Sequence, residues 1–228
     1  MNTPIAIVTG GAEGIGRAIA QDLMQDHTVY IFDVQQERVA ATAKELGCHG
    51  VVCDIANPES VKHAVDSVVA EAGGVDVLVN NAGVWLQGAL EQNTAEQIAR
   101  TVQVNVLGTM LVTHEVLPHI KQRGAGTIVN MSSQNGLHAA ADRSVYNATK
   151  WAVTGFTKCL QEELHHQGIR VMGVYPAMVQ TKIFANAGVE RDVTNGILPS
   201  DVADIVGKAI RAGSHITYPE IGIQPGGY

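Results

Sequence analysis

Residues Ile5 to Gly16 read IAIVTGGAEGIG, an apolar run closed by a glycine-rich turn and followed at once by the helix-like segment Ile15–Gln25. Hydrophobic at every position, Ile5–Val8 predicts a strand buried on both faces, as in a parallel sheet. Glycine is required where backbone approaches a diphosphate closely or takes positive φ. The free N–H groups and dipole of a helix start then hold the anion. Thr9, Gly10, Gly14 and Gly16 are therefore candidate cofactor contacts. Any glycine-rich strand–helix turn has some of this character, but its place at the first such junction favours the phosphate reading.

The same alternation continues along the chain. Val29–Phe32, Gly50–Cys53, Val75–Val79, Thr127–Met131 and Ile169–Val174 read as strands, and Ile216–Ile223 as a further one. Between them lie helical stretches at Gln35–Leu46, after Pro58, at Ala95–Gln122 with Pro118 bending its last turns, at Ser144–Gln167 and at Pro199–Ala212. Apolar strands alternating with helices predict an α/β fold, a Rossmann-type doubly wound parallel sheet in three αβα layers with right-handed crossovers. We expect one dinucleotide-binding domain over residues 1–228, with the irregular segment 181–198 forming a lid-like substrate loop.

Composition narrows the function. Of 228 residues, 46% are hydrophobic and 16% charged, enough for a packed core and against disorder. A formal net charge of -7 without a basic cluster argues against nucleic acid as a partner. Cys48, Cys53 and Cys159 lack metal or disulfide spacing and the histidines form no ligand pattern, so no metal is expected. No signal-like or membrane-spanning run is read, and a cytoplasmic protein is expected.

Asp33 ends the second strand, 17 residues after Gly16. A carboxylate there accepts both ribose hydroxyls of an adenosine and repels a 2′-phosphate. Glu13 adds negative charge in the turn, so NAD is favoured over NADP; Arg17, if turned toward the site, would be the counter-influence. Asp33 equally has the position of a cap for the helix starting near Gln35.

The chemistry is concentrated in Ser133–Lys150, SQNGLHAAADRSVYNATK. A four-residue step places Tyr146 and Lys150 on one helix face. An ammonium beside a phenol favours phenolate and lowers the phenol pKa, tuning Tyr146 for proton exchange with an alcohol or carbonyl oxygen. Tyrosine and lysine four apart also occur on ordinary amphipathic helices, so the pair gains force from its surroundings.

Those surroundings resemble the short-chain dehydrogenase/reductase family, in its compact single-domain branch. TGGAEGIG resembles the family's T-G-x-x-x-G-x-G, Asn80-Asn81-Ala82-Gly83 its N-N-A-G, and Asn105, the serines of IVNMSS and Tyr146-x-x-x-Lys150 its remaining signatures, in order from Pro4 to about Thr181. The resemblance implies that Ser133, thirteen residues before Tyr146, hydrogen-bonds the substrate oxygen, that Tyr146 is the general acid or base, and that Lys150 binds the nicotinamide ribose. It implies for Asn105 a water-holding role beside the lysine. Asp54 would read the adenine amine, and Ile15, Asn81, Ala82, Gly83, Val179 and Thr181 would contact the cofactor. Two features depart from the family: Ala177 stands where Pro-Gly is usual, and the C-terminal tail is TYPEIGIQPGGY.

Substrate contacts are expected from Trp85, Gln134, Asn135, His138, Met178 and Phe184, with His138 at a rim and Trp85 also suited to a core. Such a mixed set suits a small hydroxylated or medium apolar ketone. The expected function is hydride transfer between NAD and a secondary alcohol or ketone, by a homodimer or homotetramer. Two alternatives stand beside it: a 3-oxoacyl-(acyl-carrier or CoA) reductase, disfavoured by the lack of an arginine patch, and a non-catalytic dinucleotide-sensing protein.

Overall fold

The computed structural model describes residues 3–226. Seven parallel strands form its sheet: β1 (Ile5–Thr9), β2 (Thr28–Asp33), β3 (His49–Val52), β4 (Val77–Asn80), β5 (Gly126–Met131), β6 (Ile169–Pro176) and β7 (Glu220–Ile223). Their order is β3-β2-β1-β4-β5-β6-β7. The order reverses between β1 and β4, and such a switch point opens a crevice at the strands' C-terminal ends.

The two-residue period of β1 separates the cores. Ile5 and Ile7 pack with Val61, Val65 and Val68 of α3 (Pro58–Ala72), with Val112, Val116 and Ile120 of α5 (Thr109–Arg123), and with Leu160 and Leu164 of α6 (Ser144–Leu164). Ala6 and Val8 face the other way, onto Ile19, Ala20 and Leu23 of α1 (Gly14–Leu23) and Val202, Val206 and Ile210 of α8 (Pro199–Arg211). With helices on both faces, the central strands are largely apolar, the buried Asn80, Thr127 and Asn130 being polar exceptions in β4 and β5.

The stretch Ala95–Gln122 is not one regular helix. α4 (Ala95–Val102) passes into a π-helical stretch, Gln103–Gly108, before α5 begins. Close packing accompanies this wider winding: a Cβ at Gly108 would lie 2.7 Å from the Ile55 side chain. π-Segments are rare and cluster at functional sites; here the segment carries Asn105. α5 continues through Pro118 to Arg123. β7 starts at Glu220 rather than Ile216, because the Ile216 amide bonds back to Gly213 in a turn.

Candidate active site

The crevice is a cleft of about 670 Å³ running from the glycine turn to Tyr146 and the segment after β6. Gly10 and Gly14 take positive φ, +62° and +58°, a conformation L side chains rarely adopt. A Cβ at Gly16 would collide with the Gly10 carbonyl oxygen, and one at Gly10 would lie 2.9 Å from Ala82 Cα. No side chain caps α1, and Gly14 and Ile15 at its start line the cleft. Its first N–H groups thus face a cradle that side chains would fill, which fits a dinucleotide diphosphate.

Thr9 and Gly16 do not reach the cleft wall. Thr9 is buried, and its hydroxyl accepts from the amides of Asn81 (3.0 Å) and Ala82 (3.1 Å). Asn81 Nδ2 donates back to the carbonyls of Thr9 and Gly10, at 3.0 and 3.2 Å. These bonds clamp the Asn81–Gly83 turn to the glycine turn. Thr9 and Gly16 thus shape the cradle through the backbone around it.

At the far end Asp33 and Asp54 line the wall. Asp33 Oδ1 accepts from the Gln35 amide at 3.2 Å; Gln35 itself holds the cap position of α2 (Gln36–Leu46), which no side chain caps, so Asp33 braces the turn ahead of the helix without capping it. Asp54 Oδ1 accepts from the Ala56 amide at 3.0 Å, and Arg100 lies 3.6 Å from its other oxygen. Arg17 is not on this wall; it pairs with Glu45 on α2. The cationic residues that do line it, Arg38 and Arg100, are ones the sequence reading passed over. Arg38, five residues past Asp33, is held by Glu13 at 2.7 Å.

At the opposite end the four residues singled out for chemistry converge. Ser133 follows β5, Tyr146 and Lys150 share a face of α6, and all three line the cleft. Ser132 donates its hydroxyl to the Lys150 carbonyl (3.0 Å), while Ser133 makes only a 3.5 Å contact to the Pro176 carbonyl and accepts from the Asn135 amide. Ser133 is thus the freer hydroxyl. Asn105 lies behind the wall, bonding both polar backbone groups of Val84 (2.8 and 3.0 Å) and donating to Thr149 Oγ1. A Cβ at Gly83 would sit 3.2 Å from Asn105 Oδ1 and 3.8 Å from Lys150 Nζ, so the missing side chain leaves open space beside both groups.

The protonation energetics differ from the sequence expectation. Burial pushes the Tyr146 hydroxyl up, opposed by the Ser133 hydroxyl and the Arg143 charge. Burial also pulls Lys150 down to about 8. Lys150 Nζ donates to the Met131 carbonyl at 2.9 Å and stands 5.8 Å from the Tyr146 ring centroid. In the protein's own environment desolvation outweighs any help the ammonium gives the phenolate.

The substrate end is aromatic. Trp85 packs on Tyr146 and on Phe184 of the short helix α7 (Ile183–Asn186), with Met178 and Val193 against them. Phe184 and Met178 come from segment 178–198, closed by bonds between Ile197 and Met178 and between Gln180 and Ile197. Gln134 and Asn135 line the cleft, and the Gln134 amide is fixed on the Tyr175 carbonyl at 2.9 Å. His138 is exposed and outside the wall: its turn faces solvent, with its amide donating to the Gln134 carbonyl and its carbonyl accepting from Asn147. Ala177 lines the cleft without positive φ, so its methyl costs no backbone strain. Val179 and Thr181 stand between the two ends of the cleft. Among the described residues there is no cluster suited to a metal ion and no helix long and apolar enough to cross a membrane.

The sequence profile described as short chain dehydrogenase matches residues 4–192. Over 180 residues the chain is 36% identical to a 3-alpha-(or 20-beta)-hydroxysteroid dehydrogenase of Mycobacterium bovis, covering 78% of this chain and 69% of that one. It is 35% identical over 204 residues to the D-threitol dehydrogenase of Mycolicibacterium smegmatis, covering 86% and 78%. Among solved structures, the 3-ketoacyl-(acyl-carrier-protein) reductase of Brucella melitensis complexed with NADH superimposes with a TM-score of 0.91 at 28% identity, over 98% of this chain and 97% of that one.

Proposed function

The chain belongs to the short-chain dehydrogenase family and is an oxidoreductase of CH–OH groups using a nicotinamide cofactor; from that premise we propose that it moves a hydride between NAD and a small-to-medium secondary alcohol or its ketone. The observation that carries this reading is the convergence of Ser133, Tyr146 and Lys150 on one cleft whose other end is a glycine cradle beside Asp33. The nicotinamide, when bound, gives or takes the hydride. Tyr146 holds and moves the proton at the substrate oxygen, and Ser133 hydrogen-bonds that oxygen. Lys150 binds the nicotinamide ribose, while the Ser133 hydroxyl and the Arg143 charge oppose the rise that burial imposes on Tyr146. Asn105 positions Val84, and through it the turn that carries Trp85.

NAD preference is supported by Asp33 on the wall and by Glu13, which occupies Arg38 and leaves it poorly placed for a 2′-phosphate. One domain serves both ligands, and segment 181–198 acts as a lid seated on Trp85 through Phe184. Exposed Trp151, Leu107 and Met110 on the long helices support assembly into a homodimer or homotetramer. A 3-oxoacyl substrate is the second reading, favoured by the apolar wall of Trp85, Met178 and Phe184, which suits an acyl chain. The experiment is a panel of secondary alcohols and sugar alcohols with NAD and NADP, and of ketones and 3-oxoacyl thioesters with NADH and NADPH, followed at the nicotinamide absorbance. We expect turnover of an alcohol with NAD well above NADP; equal efficiencies remove the cofactor preference, and activity confined to thioesters transfers the reading to the acyl reductase.

A further inference from the structure

Charge is segregated along the cleft. The carboxylates that line the cleft, Glu13, Asp33 and Asp54, stand at the cradle end, whereas its wall at the aromatic cluster carries Arg143 and Arg191, with Glu190 and Asp192 on the far side of Phe184. The arginines at the cradle end are paired: Arg38 with Glu13 at 2.7 Å and Arg100 with Asp54 at 3.6 Å. Among the described residues, Arg143 and Arg191 have no carboxylate within ion-pair distance.

Each guanidinium group rests against an aromatic ring, Arg143 half-buried and Arg191 exposed. Arg143 lies over the Trp85 ring at 5.6 Å and Arg191 over the Phe184 ring at 4.9 Å, an arrangement that attracts a cation to the aromatic face. Arg143 Nε is buried and has no hydrogen-bond partner. A charged donor held away from water without an acceptor is costly, and the guanidinium of Arg143, half-buried on the cleft wall, is a group whose charge an anion would offset. Trp85 carries Tyr146 against its ring at 4.3 Å as well as Arg143 at 5.6 Å, so the guanidinium and the phenol share one indole.

We propose that the substrate bears a carboxylate a few bonds from its carbinol or carbonyl carbon, received by Arg143 and Arg191. The inference rests on the oxidoreductase reading above and narrows its substrate class to hydroxy acids and oxo acids. A planar carboxylate matches the paired donors of a guanidinium better than any neutral group does. Neutral alcohols of the same shape would leave the two guanidinium charges without a counter-charge, which is how a polar site discriminates most strongly.

The test compares 3-hydroxybutanoate with its methyl ester, and a phosphorylated sugar alcohol with its unphosphorylated parent, in wild type, R143Q, R191Q and R143K. We expect kcat/KM for the acid to exceed that for the ester about tenfold or more, the ratio to fall toward unity in both glutamine variants, and R143K to recover part of it. The loss should fall on KM more than on kcat, and rising ionic strength should shrink the ratio. A wild-type ratio near one, or a ratio unmoved in both variants, overturns the proposal. A preference for phosphate over carboxylate also overturns the carboxylate and makes phosphate the oxyanion received. Binding of acetoacetate to the NADH-loaded protein, followed by thermal shift, separates the two readings. Binding abolished in R143Q without turnover of any alcohol keeps the arginine pocket and rejects the oxidoreductase reading; no acetoacetate binding to wild type rejects the pocket.

Discussion

The Trp85 and Tyr146 ring centroids lie 4.3 Å apart at an interplanar angle of 50°. The indole therefore forms part of the low-dielectric surroundings that push the Tyr146 hydroxyl up. Trp85→Ala should move the ascending limb of alcohol oxidation, where Tyr146 loses its proton and becomes the base, to lower pH, because water admitted beside the phenol stabilises the phenolate. It should also cost roughly 2–4 kcal/mol of stability, near the lower end for a truncated buried aromatic since the cleft already opens one side. Trp85→Phe should do less of both. A pH–rate profile that stays in place in Trp85→Ala refutes the assignment of the desolvation to this ring.

Tyr146→Phe removes only the hydroxyl and keeps the packing of Trp85. We expect turnover to fall by about 10²–10⁴-fold, the usual reach of general acid–base catalysis, with NADH still bound. Fluorescence titration with NADH alongside the turnover assay distinguishes this outcome from misfolding. Full activity in the variant removes the proton-transfer role.

Lys150 trades stability for chemistry. Burial holds it near 8 in the folded protein against a usual 10.5. Below about 8 it is charged in both states, and the folded state bears the whole desolvation cost. Between about 8 and 10.5 the folded protein releases the proton while the unfolded chain keeps it, so stability rises with pH. Lys150→Met should then be more stable than wild type at pH near 7 by on the order of 2–3 kcal/mol, less whatever the Met131 carbonyl bond returns, and inactive. Denaturant melts at neutral and alkaline pH should show that advantage shrinking as pH rises; a constant or reversed difference contradicts the burial of the charge.

Much of this site was legible in the sequence because backbone demands restrict residue choice. Gly10 and Gly14 announce a turn only glycine makes comfortably, and the four-residue step from Tyr146 to Lys150 announces a shared helix face. Asp33 ends its strand at the crevice for the same topological reason. What stayed hidden depends on three-dimensional packing. Winding of Gln103–Gly108 as a π-segment leaves no mark in a pattern compatible with plain helix. Arg17 and Arg38 look equally available on paper; which one turns to the cleft is set by whether Glu45 or Glu13 is nearer. The polar bridge between the sheet and its helices, Asn80 and Asn130 bonding each other and Thr113 and Thr157, is likewise invisible in strands read as apolar.

Cofactor choice is the sharpest consequence of the cradle end. Asp33 stands on the wall with Oδ1 oriented by the Gln35 amide, and Glu13 holds Arg38 at 2.7 Å while its other oxygen accepts from Asn186 on α7 at 2.8 Å. Asp33→Ser removes the acceptor for the ribose hydroxyls together with the repulsion of a 2′-phosphate, so the NAD-to-NADP ratio of kcat/KM should fall by roughly 10–100-fold. Glu13→Gln removes the charge that holds Arg38. Added to Asp33→Ser it should raise NADP efficiency further, because the freed guanidinium can fork onto a phosphate. Steady-state kinetics of the single and double variants with both cofactors decide the matter. If Asp33→Ser lowers both efficiencies equally, Asp33 supports the loop and does not read the ribose; if Glu13→Gln adds nothing, Arg38 is too remote to serve a phosphate, and the preference rests on Asp33 alone.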